Sequence, residues 1–324
     1  MPIELPDGLP ARRLLREEGV EVIGGAADGG RRGWGMRPPL RIALLNLMPT
    51  KAATETQFAR LLGSTPFPVA LTLVVPDSYE PRTTPAEHIS AFYERWSRVR
   101  HERFDAMIVT GAPVETLPFE EVAYWRELTR IMDWARERVR RTYYVCWGAQ
   151  AALHHFHGVP KHALGEKMFG VFRHRIAARP GHPLFRGFGA EFVTPVSRHT
   201  EVRAADLPRG AGLEVLADSP EAGLCLVEDR ARGALYNFNH LEYDAGTLRD
   251  EYLRDVREGG AIRVPRHYFP GDDPERPPVD TWRPFAHLLF RNWLGEMARS
   301  AAAADGAGRQ GAPRGGMPTG VRVA

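Results

Sequence analysis

Cys146 stands where the backbone itself could present a nucleophile. It ends a predicted buried strand, RTYYVC, and the helix-prone run WGAQAALHHF follows at once. A nucleophile on such a sharp strand-to-helix turn projects above the sheet, and the N-terminus of the helix favours a thiolate. The backbone amide of Trp147 would then supply one donor of an oxyanion hole. The alternative is an inert cysteine that is buried at the end of a strand.

A reactive cysteine needs a base, and the base needs a group that orients it. His240 follows the apolar run ALYNFN, and Glu242 lies two residues further on. Because ligands bind at the carboxyl ends of parallel strands, this run would deliver His240 to the sheet edge that holds Cys146. Glu242 could hold the imidazole and stabilise the imidazolium, as the third member of a triad does.

Other reactive residue types fit ordinary structural roles. Cys225 lies in the middle of the run GLCLV, which favours burial in the core. The HHFH sequence at residues 154–157 does not predict a metal site, because one helix cannot aim three histidines at one ion. The polar sequence SRHT at residues 197–200 follows an apolar run and predicts a loop, which either binds a ligand or only turns the chain.

Lysine is scarce: only Lys51, Lys161 and Lys167 occur among 43 basic residues. The simplest explanation is a GC-rich genome, in which arginine supplies most positive charges. The compact ammonium of lysine is not interchangeable with a guanidinium at a tight site, so Lys51 and Lys167 are candidate site residues.

Apolar runs that alternate with helical patterns predict a parallel sheet built from βαβ units. Runs of strand length start at residues 40, 67, 104 and 141, and helices are predicted at 55–62, 85–98, 119–139 and directly after Cys146. After residue 165 the apolar runs come closer together, which indicates further strands, some of them antiparallel. Later helices are predicted at 245–257, with Asp244 as the N-cap, and at 281–297.

The chain divides into three predicted segments. Residues 1–38 are polar and glycine-rich, and they predict an arm that packs on the core, with a short helix at 11–18. Residues 39–298 predict a single α/β domain. Residues 299–324 carry almost no bulky apolar side chains, so they predict a disordered tail.

Composition excludes several classes of protein. The 324 residues are 43% hydrophobic and 26% charged, as in ordinary globular proteins. A net charge of +3 without a basic run argues against a nucleic-acid partner. No apolar run approaches the ~20 residues of a membrane helix, no secretory signal is recognisable, and two cysteines suit a reducing compartment. We therefore expect a cytoplasmic protein with no membrane partner.

Long motifs are spread over essentially residues 1–297: LNLMPTKAATETQF, VTGAPVETLPFEEVAYW, YYVCWGAQAALHHFHGVPK, EKMFGVF, TPVSRHTEV, NHLEYD and DPERPPVDTWRPFAHLLFRNWL. By these motifs the chain resembles the homoserine O-acyltransferases of methionine biosynthesis, which are O-acetyl- and O-succinyltransferases. The resemblance implies a flavodoxin-like, doubly wound and mostly parallel sheet of the class I glutamine amidotransferase type, with a nucleophile elbow. It also implies L-homoserine and an acyl-CoA as substrates, no metal or redox cofactor, and a homodimer.

The resemblance also assigns roles to individual residues. Cys146 falls on the acyl-accepting cysteine, His240 on the base and Glu242 on its partner acid. The positions that bind substrate in the family correspond to Lys167, Ser197 and Arg254, and Lys51 corresponds to a lysine near the active site whose role stays open. The implied reaction is a two-step transfer through an acyl-cysteine. A leucine stands in HLEYD where the family often has proline, which leaves His240 and Glu242 in place.

One position in the GAP loop distinguishes acyl donors in the family: glycine accompanies succinyl-CoA and glutamate accompanies acetyl-CoA. This chain reads Gly111-Ala-Pro-Val-Glu115. A glutamate fills the acyl pocket and repels the terminal carboxylate of a succinyl group, so we expect acetyl-CoA as the donor. The alternative is that Glu115 is a solvated loop residue and that the donor is succinyl-CoA.

Two other functions use the same implied fold. A glutamine amidotransferase would share the triad, but no part of the sequence resembles an ammonia-accepting synthetase. A non-catalytic sensor would use Cys146 as a redox centre. The presence of Cys146, His240 and Glu242 together favours catalysis.

Overall fold

One mixed sheet runs through the molecule, and helices cover both of its faces. The computed structural model describes residues 2–24, 38–81, 83–260 and 262–310, of which residues 300–310 are described by their backbone alone. The strands are β1 (Ile3–Glu4), β2 (Val22–Ile23), β3 (Leu40–Leu45), β4 (Val69–Val75), β5 (Tyr93–Arg95), β6 (Phe104–Val109), β7 (Val139–Val145), β8 (His162–Ile176), β9 (Glu191–Glu201), β10 (Leu213–Ser219), β11 (Gly223–Asp229) and β12 (Ala234–Asn237). The helices are α1 (Ala11–Glu17), α2 (Lys51–Gly63), α3 (Ala86–Phe92), α4 (Trp96–Val99), α5 (Trp125–Arg138), α6 (Trp147–His157), α7 (Thr247–Arg257) and α8 (Arg283–Gln310).

The sheet has a parallel half and an antiparallel half. Its strand order is β2-β1-β4-β3-β6-β7-β12-β11-β10-β8-β9, with β5 paired to β4 beside this path. Every pairing from β2 to β12 is parallel, and every pairing from β12 to β9 is antiparallel. The prediction of parallel strands followed by closer-spaced, partly antiparallel strands is confirmed.

The two faces of the parallel strands bury separate apolar clusters, as alternation along a strand requires. In β3, Ile42 and Leu44 pack with side chains of α1, α2 and α8. Ala43 and Leu45 face the other way, toward α4, α5 and α6. A third cluster forms where α7 and the segment after it cover β8, and Phe169, Tyr243 and Trp282 belong to it. No helix in the described part of the chain is long and apolar enough to cross a membrane.

The N-terminal segment extends the sheet. β1 pairs with β4 in parallel, and Ile3, Leu5 and Leu15 are buried in the main apolar cluster. The predicted helix at 11–18 corresponds to α1. Residues 25–37, which the sequence assigns to the same arm, lie outside the described residues.

Several predicted element boundaries were wrong. The helix predicted at 55–62 begins at Lys51. The helix predicted at 85–98 is interrupted by β5, which pairs with β4. The helix predicted at 119–139 is a short turn of 3₁₀ helix followed by α5. In the second case the pairing of β5 with β4 overrides the local helical pattern.

Two further predictions were wrong at the C-terminal half of the sheet. The sequence SRHT lies inside β9 and not in a loop, because its polar side chains bond to groups within the protein. Gly246, not Asp244, is the N-cap of α7.

α8 continues past Arg299, where the sequence predicts the start of a tail. Residues 311–324 of that predicted tail lie outside the described residues.

Candidate active site

Cys146 forms a strained turn between β7 and α6. Its backbone has φ of 50° and ψ of −119°, a conformation that L-residues rarely adopt. The backbone N–H of Cys146 donates to the carbonyl of Asn237 at 2.7 Å, which fixes the turn to β12. The thiol is 3.9 Å from the carbonyl oxygen of Ser197. This geometry is that of a nucleophile elbow.

Two glycines allow the elbow to approach its neighbours. A Cβ atom added to Gly148 would lie 2.6 Å from the carbonyl oxygen of Thr110, so the first turn of α6 packs directly on backbone. A Cβ atom added to Gly111 would lie 3.2 Å from the Cβ of Cys146 and 3.7 Å from the amide nitrogen of Trp147. The amide of Trp147 therefore lies beside the GAP loop, at the N-terminal end of α6, where it can serve as an oxyanion donor.

His240 reaches the same sheet edge on the neighbouring strand. β12 pairs with β7 in parallel, with Asn237 opposite Val145, so the chain after each strand emerges side by side. The N–H of His240 donates to the carbonyl of Pro195 at 2.9 Å. Its Nδ1 lies 2.7 Å from the Glu242 carboxylate, and both side chains are buried. The structure thus brings Cys146, His240 and Glu242 together.

The charges around His240 favour its protonated form. Burial alone would lower the pKa of His240, but the charge of Cys146, the charge of Glu242 and hydrogen bonds to both raise it well above its ordinary value. The Glu242 carboxylate at Nδ1 leaves Nε2 to face the thiol, as in a catalytic triad. These contacts stabilise the imidazolium form of His240 beside the sulfur of Cys146.

The side chains of Lys167, Ser197 and Arg254 converge on two carboxylates of α7. The Ser197 hydroxyl donates to Glu251 at 2.6 Å, and Lys167 Nζ lies 2.8 Å from Asp255 and 3.5 Å from Glu251. Arg254 donates to Asp255 at 2.7 Å and is half-exposed. The structure therefore gathers the three predicted substrate-binding residues into one polar cluster beside Cys146.

Sequence reasoning missed three members of this cluster, Glu251, Asp255 and Tyr243. Glu251 accepts hydrogen bonds from Ser197 and from the Tyr243 hydroxyl, the latter at 2.8 Å. The Tyr243 ring stacks on the His240 imidazole with ring centroids 4.1 Å apart. Tyr243 thus connects the triad to the cluster. In the sequence, the four-residue spacing of Glu251 and Asp255 could have indicated these two carboxylates, because it places both on one face of a helix.

A buried polar network behind the triad was also missed. Arg198 Nη1 donates to the Asn239 side-chain oxygen at 2.9 Å, and Asn239 Nδ2 lies 3.0 Å from His174 Nε2. Burial lowers the pKa of His174 to about 3, so its ring is neutral and can accept that hydrogen bond. The network fixes the residue that precedes His240.

Lys51 lies at the carboxyl end of β3, on the same edge of the sheet. Its ammonium donates to the carbonyls of Asn46 at 2.5 Å and Met48 at 3.2 Å, and the side chain is buried. Burial lowers the pKa of Lys51 to about 8, while the charge of Glu55 acts in the opposite direction. No hydrogen bond joins Lys51 to Cys146 or His240 within the described ranges.

Glu115 lies in the loop that begins at Gly111. Its side chain is half-buried, and no described residue donates a hydrogen bond to its carboxylate. Its backbone carbonyl accepts a hydrogen bond from Lys161 at 2.6 Å. Gly111 is the residue of this loop that lies against Cys146. Glu115 follows it four residues later in the sequence.

The histidines of HHFH point to three different carboxylates. His154 bonds to Glu120, His155 to Asp133 and His157 to Asp229, at 3.0, 3.0 and 2.9 Å. Within the described residues one other group, His182 with Glu214 and Glu228, has the spacing of a metal site. Arg230 forms ion pairs with both of those glutamates, so a side-chain cation of the protein already takes the place that a metal ion would need.

Comparisons with known proteins found similar sequences over most of this chain. A family model described as homoserine O-succinyltransferase matches residues 2–302. A protein of Rhizorhabdus wittichii named homoserine O-acetyltransferase is 55% identical over 95% of this chain and 96% of its own length. A protein of the same name from Chelativorans sp. is 51% identical over 92% of this chain and 94% of its own.

Solved structures support the fold alone. A putative GMP synthase component from Thermoplasma acidophilum superimposes with a TM-score of 0.53 and 14% identity, over 83% of this chain and 99% of the other. A glutamine amidotransferase from Thermotoga maritima superimposes with a TM-score of 0.50 and 11% identity, over 81% of this chain and 99% of the other. The predicted class I glutamine amidotransferase fold is thus confirmed.

Proposed function

The chain belongs to the homoserine O-succinyltransferase family, and from that premise we propose that it is a homoserine O-acetyltransferase. It transfers an acetyl group from acetyl-CoA to the hydroxyl of L-homoserine, in methionine biosynthesis. The observation that carries the proposal is the buried Cys146–His240–Glu242 arrangement in a chain more than half identical to two homoserine O-acetyltransferases.

Cys146 carries out the first half-reaction. Its thiolate attacks the thioester carbonyl, and the amide of Trp147 stabilises the negative oxygen of the tetrahedral intermediate. The carbon–sulfur bond to CoA then breaks, and His240 gives its proton to the departing sulfur. The product is an acetyl-cysteine and a neutral imidazole.

Acylation prepares His240 for the second half-reaction. Against the effect of burial, the negative charge of Cys146 helps to keep the pKa of His240 high in the resting enzyme. An acetylated Cys146 is neutral, so this contribution is lost and His240 becomes a base. It removes the proton of the homoserine hydroxyl as the oxygen attacks the acetyl carbonyl. The bond to Cys146 breaks, and the thiolate–imidazolium pair returns.

The polar cluster beside Cys146 suits an amino-acid acceptor. Arg254 is half-exposed, and a guanidinium matches a carboxylate with two parallel hydrogen bonds. Glu251 offers a counter-charge to the acceptor's ammonium, and Ser197 and Lys167 hold Glu251 in place. The acceptor's hydroxyl would then extend toward His240.

Glu115 supports acetyl-CoA over succinyl-CoA. Its carboxylate would oppose the terminal carboxylate of a succinyl group, and like charges in a poorly solvated pocket cost several kcal/mol. Glu115→Gly is therefore expected to shift the preference toward succinyl-CoA.

The decisive experiment measures CoA release by the purified protein with L-homoserine and either donor. We expect a preference for acetyl-CoA that Cys146→Ala abolishes and Glu115→Gly reduces. A preference for succinyl-CoA would refute the donor assignment but keep the acyl transfer. A glutaminase assay on the same protein tests the amidotransferase alternative.

Three associated expectations stay predictions. The reaction needs no metal or redox cofactor, which dialysis against a chelator checks. The protein is a homodimer, which light scattering coupled to size exclusion checks. It is cytoplasmic, which fractionation of the source cells checks.

A further inference from the structure

The loop that carries Glu115 has few constraints of its own. Between Ala112 and Pro118 the backbone forms two local hydrogen bonds. The N–H of Val114 donates to the carbonyl of Ala112 at 2.8 Å, and the N–H of Leu117 donates to the carbonyl of Val114 at 3.1 Å. Most side chains of this loop are exposed, and Leu117 is 41% exposed. A loop of this kind needs an external contact to hold one residue at a fixed position.

Lys161 provides that contact. It follows α6, and its ammonium donates to the carbonyl of Glu115 at 2.6 Å and to the carbonyl of Leu117. The same ammonium lies 4.3 Å from the centroid of the Phe119 ring. The half-buried ammonium of Lys161 thus contacts Glu115 and Leu117, which lie on either side of Thr116, and Phe119, which follows the loop.

The ammonium bonds to the backbone of Glu115 and not to its carboxylate. Burial lowers the pKa of Lys161, while the charges of Glu115 and Glu120 act to raise it. With no described donor on its carboxylate, the direction of the Glu115 side chain depends on the orientation of its own peptide unit. Lys161 fixes that orientation.

The far end of the loop is tied to the same helix. The Phe119 ring stacks on His154 of α6 with centroids 4.5 Å apart, and His154 bonds to Glu120 at 3.0 Å. Because α6 begins directly after Cys146, the loop and the nucleophile are held by one rigid element.

We propose that Lys161 is a positioning residue for donor selection, which holds the Glu115 carboxylate where the terminal group of a longer acyl chain would lie. The inference rests on the proposed function, since it assumes that Glu115 discriminates between donors. When Lys161 is lost, the Glu115 peptide is free to rotate, and its carboxylate can move away from a succinyl group. A misplacement of about 1 Å can change a rate by up to about 10²-fold.

The test compares kcat/KM for acetyl-CoA and succinyl-CoA in four proteins: the wild type, Lys161→Met, Glu115→Gly and the double variant. We expect Lys161→Met to reduce the acetyl-over-succinyl ratio by about tenfold, with KM for L-homoserine changed by less than about twofold. In the Glu115→Gly background the same substitution should change the ratio by less than about twofold. Lys161→Arg, which keeps the donors, should restore most of the ratio.

His162→Phe is the matched control. His162 is the next residue, and it bonds to Asp206 at 2.7 Å, away from the loop. We expect it to leave the donor ratio unchanged. If Lys161→Met does not fold, Lys161→Gln replaces it in the same comparison; its shorter side chain removes the cation but keeps the N–H donors of an amide, so we expect a smaller reduction of the ratio.

The outcomes separate the two proposals. If Glu115→Gly shifts the ratio and Lys161→Met does not, the role of Lys161 is refuted and the donor assignment stands. A rise of the ratio in Lys161→Met also refutes it, because the ammonium would then act by screening charge. If Glu115→Gly leaves the ratio unchanged, the role of Glu115 in donor selection and this inference both fail, while the wild-type ratio still decides the donor assignment.

Discussion

The chain has two cysteines, and the contrast between them shows which features the proposed nucleophile has and the other cysteine lacks. Cys225 lies in β11 with no exposed surface, and burial raises the pKa of its thiol to about 12 even though the nearby Arg198 guanidinium acts to lower it. Cys146 is 9% exposed, so both thiols are largely withdrawn from water. Burial is common to both cysteines, so it does not distinguish the proposed nucleophile from the other thiol.

The difference lies in the backbone and in the partners. Cys225 occupies a regular strand position, whereas Cys146 occupies a turn with positive φ at the start of a helix. His240, held by Glu242, is a proton acceptor for Cys146, and no equivalent base faces Cys225 among the described residues. The base and the turn therefore carry the proposal that Cys146 is the nucleophile, and the regular strand position accounts for the packing of Cys225 in the core.

The largest expected effect tests this contrast directly. Cys146→Ala should reduce kcat/KM for acetyl-CoA by about 10⁴-fold or more, because no other group can carry the acetyl intermediate. Cys225→Ala should change it by less than about threefold. CoA release by both variants checks the prediction, and comparable losses in two folded proteins would contradict it.

A smaller effect is expected when the base loses its partner. Glu242→Gln should reduce kcat/KM by about 10²-fold or more, since the imidazole loses its orientation and its counter-charge. Burial acts to lower the pKa of His240, and Glu242 is one of the charges that raise it. Without that charge the imidazolium loses its proton at a lower pH, so the alkaline limb of the pH–rate profile should move to lower pH.

A pH profile of kcat/KM for both proteins, with circular dichroism as the folding control, measures this shift. An alkaline limb at the same pH in both would show that Glu242 does not act on His240 through its charge.

The smallest expected effect concerns stability and falls on the other cysteine. Cys225→Ser should lower the free energy of unfolding by about 1–3 kcal/mol, because a hydroxyl would be placed in a fully buried strand position. Cys146→Ser should cost less than that, since the carbonyl oxygen of Ser197 lies beside Sγ and can accept a hydrogen bond from the new hydroxyl. Urea unfolding of the two serine variants decides the point. A larger loss for Cys146→Ser would overturn the contrast.

The triad could be placed from the sequence because it follows from strand topology. The apolar runs before Cys146 and His240 predict buried strands of one parallel sheet, whose carboxyl ends lie at the same edge. The structure shows that the two strands are also neighbours. The burial of Cys225 in mid-strand was predicted on the same grounds and is confirmed.

The rest of the site depends on contacts between distant segments. Glu251 reaches Ser197 and Tyr243 only because α7 docks on the antiparallel half of the sheet, and no local pattern encodes that docking. The polar residues of β9 predict a loop because their partners, such as Asn239 and Gln150, lie elsewhere in the chain. The contacts of Lys161 were missed for the same reason.

Because of the positive φ at Cys146, stability and the proposed catalysis favour different residues at this position. Strain of this kind costs on the order of 1–3 kcal/mol, and glycine adopts the same conformation without it. A thermostability screen that ignored turnover would therefore favour Cys146→Gly, an inactive protein, at this position. A directed-evolution library for this chain should hold codon 146 constant and seek its gains in stability elsewhere.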